Sequence, residues 1–404
     1  MRYSQVVLTL TTCFLPAMLS GASLAQTEPS SIQGQPRNTL VRVVTISQDG
    51  LQDRKGKALI DATLTRLERA ASFHPDIACL PESFTSGDPE AVPGPTTRRL
   101  SRWAKRHKCY VICPILIREN DRTYNAAIVI GRQGRIIGRY CKIRPTEGEL
   151  DRGICPGPKD PPVFETDFGT IGIQICFDVN WHGQWQRLRA KGAKIVFFAS
   201  AYPATRQIRT LAWLNQYFVV ASTKSRPASI YDITGERLAT TGRFQQWTGA
   251  VLPLGKTVFE IDFHVSKMRD IQKKYGSRVE VTWYHDEDLV TLASLDPALT
   301  VQDLIREYEL TPHRDYILRA QRKQDKTRPQ TKPERNLMYT EVTRYARLVE
   351  ARVCPSGEKA TSQTPGLWPS RTATCSFRRR FRSLTVLSFP PDARVLPSGK
   401  QPRQ

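Results

Sequence analysis

Apolar and polar positions along the chain repeat with two different periods, and the switches between them predict its elements. Residues 40–46 alternate as a strand, and residues 57–72 place Leu59, Ile60, Leu64, Leu67 and Ala71 at helical spacing. A short apolar run at 76–80 reads as a strand, and a basic helix follows over 97–107. Further strands are predicted at 109–117 and 126–130, and Gln133-Gly134 turns the chain into another over 136–142. The alternation continues with a buried strand over 170–176, a helix over 183–191 and a strand over 194–200. A helix around 206–215, a strand over 218–222 and a hairpin turn at 232–235 follow. Strand alternating with helix from 39 to about 321, with no Gly-rich phosphate loop, predicts one α/β domain whose helices cover its sheets.

The two ends of the chain have a different character. Arg2 precedes an apolar run over 6–19 and the small residues of Gly21-Ala22-Ser23-Leu24-Ala25, the pattern of a secretory signal peptide. Residues 1–25 are therefore expected to be removed on export, to a periplasmic or secreted location. Residues 26–38, with Pro29, Gly34 and Pro36, read as a linker. After Lys326 periodicity fades and Pro, Ser, Thr and Arg accumulate. The tail is expected to be largely disordered, with one helix near 336–349.

Composition changes this picture in two respects. The formal net charge is +22, but residues 321–404 hold 18 Lys/Arg against 6 Asp/Glu, so more than half the excess lies in the tail. Such a tail can bind polyanions or anionic lipids nonspecifically, and it is more often a solvated appendage. Nucleic acid is otherwise not an expected partner. No stretch of the body reaches the roughly 18 apolar residues that a membrane span needs. The nine cysteines do not read as a disulfide framework. Cys79, Cys109, Cys113 and Cys141 lie in or beside strand-like runs, where cysteine behaves as a small buried hydrophobe. Cys354 and Cys375 could pair in an oxidising compartment. No cysteine or histidine cluster has zinc-site spacing.

Three reactive side chains share one context. Glu82 follows the 76–80 strand, Lys142 closes the 136–142 strand, and Cys176 closes the 170–176 strand before Phe177-Asp178-Val179-Asn180 turns toward a helix. In α/β sheets, functional groups gather outside strand ends, so these three could meet in one pocket. There Cys176 would be the nucleophile, exposed on a sharp strand-to-helix turn. Glu82 could take the thiol proton and return it to a leaving amine. Lys142, with the backbone N–H of Phe177, could hold an oxyanion. Singly, each has a plainer reading: a solvated turn, a surface lysine and a packed cysteine. His182 lies too near Cys176 in sequence to form a productive Cys–His pair. Trp181 and Tyr202 also follow strand ends, where they could shape the pocket or simply pack.

The segments Cys79-Leu80-Pro81-Glu82-Ser83-Phe84, Tyr140-Cys141-Lys142-Ile143-Arg144-Pro145 and Gly172-Ile173-Gln174-Ile175-Cys176-Phe177-Asp178 resemble the three signature blocks of the nitrilase superfamily, the carbon–nitrogen hydrolases. They stand in the family's order, and the resemblance extends over about 39–323, including Tyr124-Asn125-Ala126-Ala127. It leaves residues 324–404 as a basic tail outside the domain. The resemblance implies a four-layer αββα sandwich that forms homodimers, and a Glu82–Lys142–Cys176 triad working without metal or cofactor. It also implies a second glutamate that orients the lysine, with Glu149 the best match and Glu147 the competitor. Asn125, Phe177, Trp181 and Tyr202 become candidates for oxyanion or substrate contacts. Cys176-Phe177-Asp178 is similar to the Cys-Tyr-Asp of amidases and carbamoyl hydrolases, which favours a small amide or carbamoyl substrate over a nitrile. Asp178 could cap the next helix or touch substrate. Membrane-spanning acyltransferase relatives differ in having spans, which favours water as acyl acceptor. The other class of reading is an idle family member that binds polyanions through its tail.

Overall fold

The computed structural model describes residues 39–329 apart from Arg226. The expected signal peptide, linker, tail helix and Cys354–Cys375 pair lie outside those residues. In chain order the elements begin with β1 (Leu40–Ile46), α1 (Gly56–Ala70), β2 (Ile77–Cys79), α2 (Pro95–His107), β3 (Tyr110–Glu119), β4 (Arg122–Ile130), β5 (Ile136–Cys141) and α3 (Glu147–Asp151). Next come β6 (Val163–Thr166), β7 (Gly169–Ile175), α4 (His182–Ala190), β8 (Ile195–Ser200), α5 (Thr205–Asn215), β9 (Phe218–Thr223), β10 (Ser229–Tyr231) and β11 (Arg237–Thr240). The last are β12 (Trp247–Pro253), β13 (Thr257–Glu260), α6 (Val265–Tyr275), β14 (Val279–Tyr284), β15 (Leu289–Ser294), α7 (Val301–Glu307) and α8 (His313–Thr327).

The strands form two six-stranded sheets, ordered β12-β1-β2-β3-β4-β5 and β11-β10-β9-β8-β7-β6. Each has three parallel strands in the middle, β1-β2-β3 in one and β7-β8-β9 in the other, with antiparallel strands outside. The central strands are apolar on both sides because both faces of each sheet are covered. Val43, Ile77, Ile112 and Tyr140 of the first sheet pack between the sheets against Ile173, Ile195, Phe197 and Val220 of the second. The outer face of the first sheet packs on Leu64 and Leu67 of α1 and Leu100 and Trp103 of α2. The outer face of the second packs on Trp185 and Leu188 of α4 and Ile208 and Leu211 of α5. The result is the expected α/β sandwich with the layer order αββα.

Two features differ from the sequence expectation. A three-stranded antiparallel sheet, β13-β15-β14, carries its own apolar cluster with Met268 and Ile271 of α6 and Leu304 of α7. No expected element covered these residues, because β14 reads Val-Glu-Val-Thr-Trp-Tyr and only partly buries its apolar side chains. In addition, α8 continues to Thr327, past the expected domain end at 323. Among the described residues no helix is long and apolar enough to cross a membrane.

The seam between the sheets positions the site. Ser47 and Thr223, just past β1 and at the end of β9, form a parallel bridge. Ser222 Oγ donates to Ile46 O at 2.6 Å and to Cys79 O at 3.1 Å, and Thr45 Oγ1 donates to Ala221 O at 2.8 Å. The carboxyl ends of the parallel strands in both sheets therefore open to the same side. β5 joins them, since two antiparallel steps from β3 through β4 restore its direction.

Truncating the buried ring of Phe197 between the sheets is expected to cost about 3–5 kcal/mol as Phe197→Ala. The same truncation at Phe244, 87% exposed, should stay within about 0.5 kcal/mol. Chemical denaturation of both variants checks this. Equal losses would contradict the placement of the core.

Candidate active site

Glu82 sits two residues beyond Leu80, where the chain leaves β2 through Pro81, and it is buried. Lys142 follows β5 directly, and only 1% of its side chain is exposed. Its ammonium donates to Glu82 Oε1 at 2.8 Å and to Glu149 Oε2 at 2.7 Å. Burial works against its charge, but the adjacent Glu82 carboxylate and the bonds to both glutamates hold it above the usual lysine range. The lysine is thus a fixed cation.

Glu149 is the third residue of α3, and its carboxylate also accepts from the backbone N–H of Thr146 at 2.8 Å, which closes a capping box. Burial raises its carboxyl and the Lys142 bond lowers it, and the net position is below the usual glutamate range. Glu147 is exposed one turn-edge away, so the fold selects Glu149 of the two. Gly157 closes the loop from below. Its N–H donates to Lys142 O at 2.8 Å, and a Cβ there would fall 2.2 Å from Cys141 O.

Asn125, on β4, takes a different place from the one expected. One amide nitrogen donates to Glu82 Oε1 at 2.8 Å and to Glu149 Oε1 at 2.9 Å, and its oxygen accepts from Ser83 Oγ at 3.3 Å. Both amide hydrogens are spent on the two carboxylates. None remains for a substrate oxyanion, and Asn125 instead fixes the spacing of the glutamates that hold Lys142.

Cys176 follows β7 with φ +47°, a left-handed conformation that costs a β-carbon residue roughly 1–2 kcal/mol. The turn is held by Asp178. Its carboxylate accepts from Ile175 N–H at 3.0 Å, from Arg144 N–H at 2.8 Å and from Tyr140 Oη at 2.6 Å. One buried side chain therefore ties the Cys176 turn to the loop carrying Lys142, and it caps and braces rather than facing substrate. Burial pushes its carboxyl up to about 6, against the pull of those three donors.

The Cys176 thiol is pushed up to about 11, first by burial and then by the Glu82 charge, while Lys142, Ala201 N–H and Ser200 Oγ act in the opposite sense. Burial alone drives Cys79 far above the usual thiol range, with no charged neighbour to oppose it. Cys176 differs by standing between an acid and a base. At rest its proton stays on sulfur, so attack needs a group to receive it.

The other expected residues sit around this centre. Phe177 and Trp181 meet edge to face at 5.2 Å, and the Arg144 guanidinium lies 5.0 Å over the Trp181 ring. Tyr202, 37% exposed, has its hydroxyl raised by burial and by the charges of Cys176 and Glu82, so it borders the site. His182 is exposed at the start of α4. Ser200 and Lys224 were not anticipated. Both stand at or just past strand ends, β8 and β9, the same signal that singled out Glu82, Lys142 and Cys176. Among the described residues no group of histidine, cysteine, aspartate and glutamate could hold a metal ion.

The model of the carbon–nitrogen hydrolase family matches residues 40–252. Over 145 residues the chain is 34% identical to a beta-ureidopropionase of Arabidopsis thaliana, covering 32% of this chain and 35% of that protein. It is 29% identical over 214 residues to a bifunctional nitrilase/nitrile hydratase of Lupinus angustifolius, covering 45% and 58%. It is 27% identical over 183 residues to an omega-amidase of Xenopus tropicalis, covering 40% and 66%. The chain spans between about a third and two thirds of the length of these relatives.

Alkylation of Cys176 by iodoacetamide is expected to rise about tenfold per pH unit from about pH 7 to 10, since only the thiolate reacts. Glu82→Gln removes the charge that raises the thiol, so the midpoint of the alkylation pH profile should lie lower in this variant than in the parent. Peptide mass spectrometry at Cys176 reads both rates. An unchanged or higher midpoint in Glu82→Gln would contradict the electrostatics described.

Proposed function

We propose, because this chain belongs to the carbon–nitrogen hydrolase family, that it hydrolyses small amides or N-carbamoyl compounds through a thioester on Cys176. The observation that carries this reading is the Lys142 ammonium bonded to both Glu82 and Glu149, beside a Cys176 thiol that feels the charges of Glu82 and Lys142.

Glu82 receives the thiol proton as sulfur attacks the carbonyl carbon. The carbonyl oxygen becomes an oxyanion, stabilised by the Lys142 charge and the backbone N–H of Phe177. Glu82 then passes the proton to the nitrogen, the carbon–nitrogen bond breaks, and ammonia or an amine leaves behind an acyl thioester. Water, deprotonated by the freed Glu82, attacks the thioester. Its collapse releases the acid and returns the proton to Cys176 sulfur. Glu149 and Asn125 act through Lys142 and Glu82, holding the cation where the oxyanion develops. Trp181 and Tyr202 border the substrate.

Amide and carbamoyl substrates are favoured by Cys176-Phe177-Asp178 and by the likeness to a beta-ureidopropionase and an omega-amidase. The nitrilase relative supports nitriles as the second reading. The proposal extends to homo-oligomeric assembly and to export after loss of residues 1–25, both supported by sequence patterns alone.

Cys176→Ala is expected to abolish ammonia release across a panel that pairs each amide with its nitrile. Glu82→Gln should lower turnover by about 10²–10⁴-fold. Full turnover by a folded Cys176→Ala variant sinks the reading, and release from nitriles alone transfers the substrate to the nitrile class.

A further inference from the structure

Lys224 is the first residue after β9, and it connects the two sides of the site. Its backbone N–H donates to Ser200 O at 3.0 Å, and the Ser200 hydroxyl is one of the groups that lower the Cys176 thiol. Its ammonium reaches across to Ser86 Oγ at 3.4 Å, on the loop that carries Glu82. The half-buried side chain thus runs from the nucleophile side of the pocket to the general-base side.

Its charge is unspent. Lys142 is held by two carboxylates, and the part-buried Lys256 pairs with Asp232 at 2.8 Å and Glu280 at 3.1 Å. Among the described residues Lys224 has no carboxylate within ion-pair distance, and its one bond to a hydroxyl is long. Burial lowers its ammonium, and the charges of Glu82 and Cys176 only partly restore it. A desolvated cation without a counter-charge is costly, and a bound anion recovers that cost.

Resting on the amide-hydrolase reading, we propose that the Lys224 ammonium binds a carboxylate carried by the substrate. The preferred substrates are then short ω-amido or N-carbamoyl acids rather than neutral amides. Lys142 cannot serve in this way, since both its neighbours are already carboxylates and its charge is needed at the oxyanion.

The readout is the ratio of kcat/KM for succinamate to kcat/KM for butyramide, which are similar in size and differ in charge. In K224M this ratio is expected to fall about 10–100-fold, mainly through KM, as for loss of a hydrogen-bonded charge partner. K224R should keep most of the preference, and K224Q replaces K224M if the latter does not fold. An unchanged ratio overturns the proposal. So does an equal loss on both substrates, which would make Lys224 a group that tunes Cys176. If neither amide is hydrolysed by the parent protein, the amide reading itself fails. Hydrolysis of both with no charge preference removes only the role of Lys224.

Discussion

The Lys142 ammonium is almost wholly removed from water, and a buried cation of this kind costs several kcal/mol unless its partners are in place. Two carboxylates meet that requirement, and they arrive from different parts of the chain. Glu82 comes from the end of β2, Glu149 from α3, and the lysine itself from the end of β5. Asn125 then spans the two acids from β4. All four groups together close the carboxyl edge of the first sheet. The same closure leaves a fixed positive charge facing the turn where β7 ends.

Opposite this cluster the second sheet presents Cys176 on a left-handed turn. Asp178 joins the halves, because its carboxylate holds the Ile175 and Arg144 amides together. The placing of the thiol turn relative to the cation is therefore fixed by one buried side chain bonded to backbone on both halves. That arrangement suits a reaction whose reacting groups must be held in place before substrate arrives. It also explains why the thiol keeps its proton at rest. Burial and a neighbouring carboxylate outweigh one lysine, so the sulfur becomes nucleophilic only as Glu82 takes the proton.

Much of this was legible in the sequence, for a physical reason. Buried parallel strands leave continuous apolar runs, and a charged or reactive residue immediately after such a run has few places to go except a strand-end pocket. Glu82, Lys142 and Cys176 all follow such runs, and the resemblance to the nitrilase signature blocks singles them out among the residues that do. Ser200 and Lys224 follow such runs as well, but a serine or lysine beside a turn looks solvated until the second sheet is placed against the first. The placing of Asn125 is hidden for a different reason. Its neighbours Glu82 and Glu149 are 43 and 24 residues away in sequence, and no local pattern reveals that they share its amide. The choice between Glu149 and Glu147 rests on helical phase in α3, a five-residue helix too short for periodicity to read. The sheet of β13, β14 and β15 escaped because β13 is only four residues long and β14 is mostly half-exposed, so neither gives a clear alternation.

The central claim is that acyl transfer passes through the Cys176 sulfur. It is tested most directly by incubating the full chain with a panel of amides, quenching in acid and mapping adducts by peptide mass spectrometry. An acyl group on the Cys176 peptide is predicted, with none on the peptides of Cys79, Cys109, Cys113, Cys141 and Cys155, the other free cysteines among the described residues. Steady turnover with no adduct at Cys176, or an adduct on another residue in its place, would contradict it.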